Sequence, residues 1–443
     1  MHGKRYNRLS AELYEQAVAE CFQRKWRRRD VQSFIEKYAG IPRREVMIAE
    51  LSGTKEVRIE ATEAVALYLQ EVVEELLQGR EPEDMIPVVI RSRPDGMTGK
   101  MRDIALLCIL HQLLGHLAKL MLDPLIEARL LPTQHASIPG RGQTLLKDQA
   151  HRFFLKDSLG INYQQKTDVR HAYASLKYSV VIGLIRRELP DARDLLTLLS
   201  YLEKLAPGGH LIIGGYIDAW LFNFAMSYAI RYVYSLGTTR RGKFVPYIKR
   251  VITFMDDFAL LSSSIKGLQR AIPALDAWMA ANLGLNLKIT TGIIKMLPVE
   301  EEQRRKGLQG KARRGVPVLD MAGFKIARTH VTIRRRVFIR ARRQFLRGYA
   351  ELKATGTLTE TRARKIIAYN GYVEQTDAAT IKEKYHTAEL MKAAITVTGF
   401  YSRREYQKDQ EDLYVLLQHR SGKRPEAGHD RTAPRREEPR PLG

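Results

Sequence analysis

Apolar residues recur at spacings of three and four in two stretches near the N-terminus, LSAELYEQAVAECFQRKWRRR from Leu9 and residues 59–77. That period places apolar side chains on one helix face, so residues 10–80 are predicted to be helical. The pattern then changes. IPVVIRSRPDGMTGKMRDIALLCI holds two extended runs on either side of Pro94-Asp95-Gly96, which predicts a β-hairpin turning at Asp95-Gly96. Helical spacing returns over 104–128, followed by a loop, HASIPGRGQ, at 135–143. Residues 162–172 read as a strand and its exit, with a helix continuing to 188. A Pro-Gly-Gly break at 207–209 precedes a helix over 217–234. RVITFMDDFALLSSS is apolar on both sides of an Asp pair, which predicts strand, turn, strand. A helix over 265–283 and a short strand around 285–289 follow.

From Gly323 the chain turns basic, FKIARTHVTIRRRVFIRARRQFLRG, with a strand pair leading into helices as far as 417. The tail from Ser421 is rich in Pro, Arg and Glu and nearly devoid of apolar residues, so it is expected to be disordered. The order of elements between 160 and 290 does not repeat the strand–helix unit of a doubly wound parallel sheet. It predicts an α/β (α+β) fold with a split, mostly antiparallel sheet and helices on one face.

Composition narrows the partner. The 443 residues are 44% apolar, enough for a core and long enough for two or three lobes. Lys and Arg number 73 against 49 Asp and Glu, a formal charge of +24. Such an excess points to a polyanion. No run of about 18 apolar residues exists to span a bilayer, which favours nucleic acid over a membrane. The N-terminal MHGKRYNRLSAELYEQ lacks the apolar core of a signal peptide. Two cysteines, Cys21 and Cys108, without CxxC spacing argue against a disulfide framework or zinc ribbon and fit a reducing cytoplasm, the expected location. The basic knot from Arg24 to Arg29 reads equally well as a phosphate contact and as a solvated helix face.

Asp256-Asp257 stands between two apolar runs. Adjacent carboxylates at a strand turn repel unless a cation lies between them. An acidic hairpin turn is common, and FMDD alone would decide little. Upstream, TDVRHAYASL places Asp168 at the end of an extended segment. There it could simply cap a helix. A strand-end carboxylate facing a hairpin-turn pair also supplies what two-metal phosphoryl transfer requires, oxygen ligands for two closely spaced Mg²⁺.

With these residues in view, the chain from about Lys100 to Gly323 resembles the reverse-transcriptase family. GKMRDI at 99–104 looks like the fingers block on the incoming triphosphate, and HASIPGRGQ like the second fingers block. TDVRHAYASL is similar to motif A, FMDD to the YxDD box, LGLNLK to motif D and DMAGF to motif E. Gly214 to Asn223 has the spacing of motif B.

The resemblance implies a right-hand polymerase in five segments. These are an N-terminal helical extension (1–85), fingers (86–160), palm (161–322), motif E with a helical thumb (323–420) and a basic tail (421–443). It implies that Asp168, Asp256 and Asp257, with the Val169 carbonyl, hold two Mg²⁺, Mn²⁺ being the alternative. Lys100 and Arg102 would meet the incoming triphosphate, and Arg141 either nucleotide or template phosphate. Tyr173 would lie beneath the sugar and exclude a 2′-OH, with Ile213 and Gly214 near the templating base and Phe254 beside nucleic acid.

Several positions depart from the family. Ile213 stands for the usual Gln, Asp218 for a Ser and Phe254 for a Tyr. The motif D lysine falls at Thr291, so neither Lys288 nor Lys295 is assigned as its general acid. The style of motif B and the segments IPGRGQ and ARKIIAYNGYVEQTD resemble bacterial enzymes of diversity-generating retroelements and their defence-associated relatives.

Seven arginines lie between Arg334 and Arg347, and Arg340, Arg343 and Arg347 share one helical face suited to a duplex backbone. The expected activity is RNA-templated addition of dNTPs to a DNA or RNA primer, with a helper subunit or structured non-coding RNA as further partners. Its rivals are untemplated or protein-primed DNA synthesis in phage defence, and a catalytically idle RNA-binding protein that keeps the palm.

Overall fold

The structure is a computed structural model that describes residues 5–83, 85–94, 101–156, 160–306 and 315–420. Lys100, the Asp95-Gly96 turn and the tail from Ser421 lie outside the described residues. The chain forms two compact units, residues 1–149 with 156–296, and residues 150–155 with 297–443. The mixed α/β class expected from the sequence is present.

In the first unit the predicted N-terminal helical region is four helices, α1 (Ala11–Phe22), α2 (Arg29–Ala39), α3 (Arg43–Ser52) and α4 (Glu56–Leu77). Ser10 caps α1 by accepting the Leu13 N–H, satisfying one of the first-turn donors. β1 (Val89–Pro94) and β2 (Met101–Leu106) then pair antiparallel, with Arg93 opposite Arg102. The helix expected from residue 104 therefore starts later, as α5 (Ile109–Arg129), with the Cys108 thiol as its cap. Residues 104–106 are held extended by β1 and by the Ala105 N–H, which donates to the Ile213 carbonyl at 2.7 Å.

α6 (Gln143–Leu155) is followed by β3 (Tyr163–Val169), α7 (Ala172–Ser175), α8 (Tyr178–Glu188), α9 (Arg193–Leu205) and α10 (Tyr216–Ser235). Two hairpins come next, β4 (Gly237–Arg240) with β5 (Lys243–Pro246), and β6 (Arg250–Phe254) with β7 (Asp257–Ser262). α11 (Ile265–Leu283), β8 (Leu287–Ile289) and β9 (Ile294–Lys295) complete the unit. Neither α9 nor the β4–β5 hairpin is in the sequence prediction. The hairpin shows no apolar alternation, and its one large apolar side chain, Phe244, is exposed.

The central sheet runs β6-β7-β3-β8, all antiparallel, and β9 also pairs with β3. Phe222, Phe224, Phe258, Leu260, Leu268 and Leu275 are fully buried in the core of this unit. At the outer edge of β6, Thr253 donates to the Thr133 carbonyl at 2.9 Å, and the His135 N–H donates to Thr253 at 3.2 Å. The start of the 135–143 loop thus covers a strand edge that would otherwise present unpaired backbone groups.

The second unit contains α12 (Val299–Lys306), β10 (Leu319–Met321), β11 (Phe324–Ile326), β12 (Val331–Ile333), α13 (Arg335–Thr355), α14 (Glu360–Glu374), α15 (Ala379–Lys384) and α16 (Thr387–Arg420). The predicted strand pair is a three-stranded antiparallel sheet, because buried Leu319 and Met321 add a strand before Gly323. Glu302, fully buried, accepts from the Arg328 N–H at 3.1 Å and the Thr329 N–H at 2.6 Å. Arg328 donates in turn to the carbonyls of Leu297 and Phe154, which ties α12 and the end of α6 to the β11–β12 turn. Val337, Phe345, Leu352, Ile366 and Leu390 form the core of the helices. Among the described residues no helix is long and apolar enough to cross a membrane.

Candidate active site

β6 and β7 are joined by a two-residue turn, Met255-Asp256, with Met255 at φ +56°. The turn is stitched to the end of β3, where the Val169 N–H donates to the Asp256 carbonyl at 3.0 Å. Across β3 and β7, Asp168 is the register partner of Asp257. Side chains alternate along β3, so Thr167 and Val169 point into the core while Lys166 and Asp168 share the half-open face. Paired residues of antiparallel strands project to the same face, which puts Asp257 beside Asp168.

The electrostatics follow from this crowding. Burial, and then the charges of Asp168 and Asp257, push the Asp256 carboxyl up to about 6, and Arg102 on β2 opposes the rise. The Lys166 ammonium is 2.8 Å from Asp257 Oδ1. Lys166 is itself clamped. Its carbonyl accepts the Thr290 and Thr291 N–H groups at 3.2 and 3.3 Å, and its N–H donates to Thr291 Oγ1 at 3.0 Å. Thr290 and Thr291 form the irregular step between β8 and β9, both of which lie on β3. Lys288 is the register partner of Asp168 on the other side, whereas Lys295 is opposite Tyr163 at the start of β3.

Three crowded carboxylates, one raised by burial and then by its neighbours' charges, are a donor set suited to a hard divalent cation. Among the described residues, however, no three Asp, Glu, His or Cys side chains converge closely enough to hold an ion. Asp257 faces Lys166 instead.

Around this strand end the structure gathers several of the other expected residues. Phe254 is half-buried and pairs with Asp257. Tyr173 stacks on Phe222, ring centroids 5.3 Å apart and planes at 15°. Burial, then the charges of Asp218 and Asp256, raise the Tyr173 phenol. Gly214 has φ +115°, and a Cβ there would lie 2.6 Å from the Ala105 carbonyl, so only glycine lets the segment approach β2 this closely. Ile213, half-buried, supplies the carbonyl that Ala105 bonds.

Two residues that the sequence reading treated only as markers secure this region. Asp218, buried in the first turn of α10, accepts the Ile212 N–H at 2.8 Å and the Tyr178 hydroxyl at 3.0 Å. Asn223 donates to the Ala136 carbonyl at 3.0 Å, joining α10 to the 135–143 loop. The signal for Asp218 was its charge at a position the family fills with a small hydroxyl. Lys166 carried no such signal.

Other expected residues lie elsewhere. Arg141 uses its Nη1 on the carbonyls of Leu131 and Gln134, at 2.6 and 3.0 Å, and so braces its own loop. In the N-terminal knot, Arg27 pairs with Glu50 and Arg28 with Asp30, while Lys25 donates to Gln112. Arg340, Arg343 and Arg347 are in the second unit on α13, away from its buried Val337, Ala341, Phe345, Gly348 and Leu352. Arg343 and Arg347 are exposed and Arg340 is half-buried, and among the described residues none of the three pairs with a carboxylate.

No protein family matches the chain, and neither does any curated protein. Two solved structures of apo telomerase from Candida tropicalis are similar. One is 11% identical with a TM-score of 0.42, covering 80% of this chain and 66% of that one. The other, truncated from the C-terminal domain, is 10% identical with a TM-score of 0.36, covering 61% and 60%. This chain therefore spans less than two thirds of the length of either. At these values the likeness decides nothing about activity, and the site's own residues have to.

Proposed function

We propose that the protein is an RNA-directed DNA polymerase that adds dNTPs to a primer on an RNA template. The observation that carries this reading is the pairing of Asp168 with Asp257 at the strand end where Asp256 completes a crowded set of carboxylates. The order of motifs around that strand end supports it. In this reading the central sheet is the palm, β1, β2 and the 135–143 loop are fingers, and the helices of the second unit are the thumb.

Asp168, Asp256, Asp257 and the Val169 carbonyl would hold two Mg²⁺, or Mn²⁺. When bound, such ions lower the pKa of an attacking hydroxyl and neutralise charge on a transferring phosphoryl group. The chain's own residues do the rest. Arg102, close enough for its charge to act on Asp256, places a cation where triphosphate charge would arrive. Tyr173, packed on Phe222, offers a fixed ring against the sugar. Gly214 and the Ala105–Ile213 hydrogen bond keep β2 against the segment that would meet the templating base. Positioning of this kind, with preset charge, supplies most of the catalysis such a reaction needs.

The test is primer extension on an RNA template. Asp256→Asn is expected to abolish nucleotide addition while RNA binding persists. Extension near the wild-type rate in that variant would overturn the assignment.

A further inference from the structure

Lys166 occupies an unusual place. It lies two residues before Asp168 on the same half-open face of β3, and its ammonium is 2.8 Å from Asp257 Oδ1. The pair is largely shielded, with 14% of the lysine side chain and 23% of the aspartate exposed. Both ends are set by backbone. Lys166 is fastened by Thr290 and Thr291, and Asp257 begins β7 immediately after a tight turn. Thr291, where the resemblance places a motif D lysine, thus serves the backbone of a different lysine.

We infer that Lys166 is a resident counter-cation of the carboxylate cluster, neutralising Asp257 when no metal is bound and competing with the metal for it. These observations carry it. Asp168 and Asp257 are register partners on neighbouring strands and Asp256 adjoins them at the turn, so three like charges meet at one strand end. Lys166 is the cation in direct contact with Asp257. An ammonium and a divalent ion cannot both approach one carboxylate oxygen without strong repulsion. Metal entry therefore requires Asp257 to turn from Lys166 or to share only its other oxygen. Lys166 lowers metal affinity and holds the metal-free site together.

This inference rests on the metal reading of the three aspartates, so the experiment must separate the two. Mn²⁺ binding is measured by the loss of the free-ion electron paramagnetic resonance signal, in wild type, Asp168→Asn, Lys166→Met and Lys166→Gln. Thermal unfolding without metal is followed in parallel. Wild type should bind Mn²⁺ and Asp168→Asn should bind it far more weakly. Both Lys166 variants should bind at least about tenfold more tightly than wild type, since a unit charge a few ångströms from a divalent ion repels it even in high dielectric. Without metal both should unfold at lower temperature, and Mn²⁺ should recover more of that loss than it adds to wild type.

If Asp168→Asn leaves Mn²⁺ binding unchanged, the metal reading and this inference fall together. If Asp168→Asn weakens binding while both Lys166 variants bind as wild type does or less tightly, the metal reading stands and the counter-cation role is overturned.

Discussion

Asp168 and Asp257 are register partners on neighbouring antiparallel strands, an arrangement of like charges that costs stability unless something compensates. Asp256, at the adjoining turn, adds a third carboxylate, raised first by burial and then by the charges of its two neighbours. A fold under selection for stability alone would place an amide or a hydroxyl at one of these positions. The site therefore trades stability for charge, and each carboxylate should show opposite effects on folding and on chemistry.

Asp256→Asn tests that trade. At pH 7.5 without metal, the wild-type carboxylate is ionised against burial and two neighbours, whereas the amide carries no charge. The variant should be more stable by about 1–3 kcal/mol, the value of one to two pKa units. Urea unfolding followed by circular dichroism measures it. A variant less stable than wild type would show that the Asp256 carboxylate makes compensating contacts that outweigh its crowding.

Asp218 gives a second electrostatic prediction, with a defined pH window. Burial raises its carboxyl from 3.8 to about 6, and the Ile212 N–H and the Tyr178 hydroxyl offset only part of that. Its Oδ2 has no hydrogen-bond partner among the described residues. The folded state holds this proton more tightly than the unfolded chain does. The group's contribution is therefore most favourable below about pH 4 and is lost as pH rises toward 6, by roughly 3 kcal/mol in all. Asp218→Asn keeps the acceptor and removes the charge, so it should flatten this part of the stability profile. Unfolding midpoints of both proteins at pH 4.5, 6 and 8 measure the difference, and parallel profiles would mean that Asp218 does not carry it.

The site was legible in the sequence where local rules fix position. Apolar runs on both sides of the Asp pair predict the β6–β7 hairpin, although its turn is Met255-Asp256 and Asp257 already belongs to β7, and Asp168 falls near the end of a strand as its extended segment predicts. What was not legible depends on register. Lys166 meets Asp257 because β3 and β7 pair with one particular offset, and no spacing along the chain encodes that contact. The start of α5 is placed too early by the sequence for a similar reason. Residues 104–106 carry helical spacing, yet they are held extended by β1 and by the distant Ile213 carbonyl. For the basic knot at 24–29 the sequence leaves a phosphate contact and a solvated helix face equally open, because Glu50, which pairs with Arg27, is brought there only by folding.

The α13 arginines differ from that knot in having no carboxylate partners among the described residues, so their charge is available to a polyanion. Replacing Arg340, Arg343 and Arg347 by Gln should weaken binding of an RNA–DNA duplex and flatten its salt dependence. The slope of log K against log salt should fall by up to about 0.9 for each phosphate contact removed. Titrations at several salt concentrations give the slope directly, and an unchanged slope would mean that this face meets solvent and not phosphate.

Tyr173 provides the sharpest test of substrate class. Its ring is fixed by stacking on fully buried Phe222, and its phenol is close enough to Asp256 for that charge to raise it. A ring so anchored cannot swing away from a larger sugar. Overpacking by a methylene-sized group costs about 1–3 kcal/mol in a close-packed site, and each 1.36 kcal/mol in a barrier is about tenfold in rate. Discrimination of about ten- to a hundredfold against ribonucleotides is expected from this contact. Tyr173→Ala should lose it while retaining some dNTP addition, and Tyr173→Phe, which keeps the ring and its stacking, should preserve it. The measurement is the ratio of kcat/KM for dGTP and GTP on one RNA template in all three proteins. Identical ratios would make Tyr173 a packing residue and place the gate elsewhere. A wild type that prefers GTP would overturn the proposed DNA synthesis in favour of RNA synthesis, because carboxylates holding the same ions would serve either sugar and only the pocket beside them would distinguish the two.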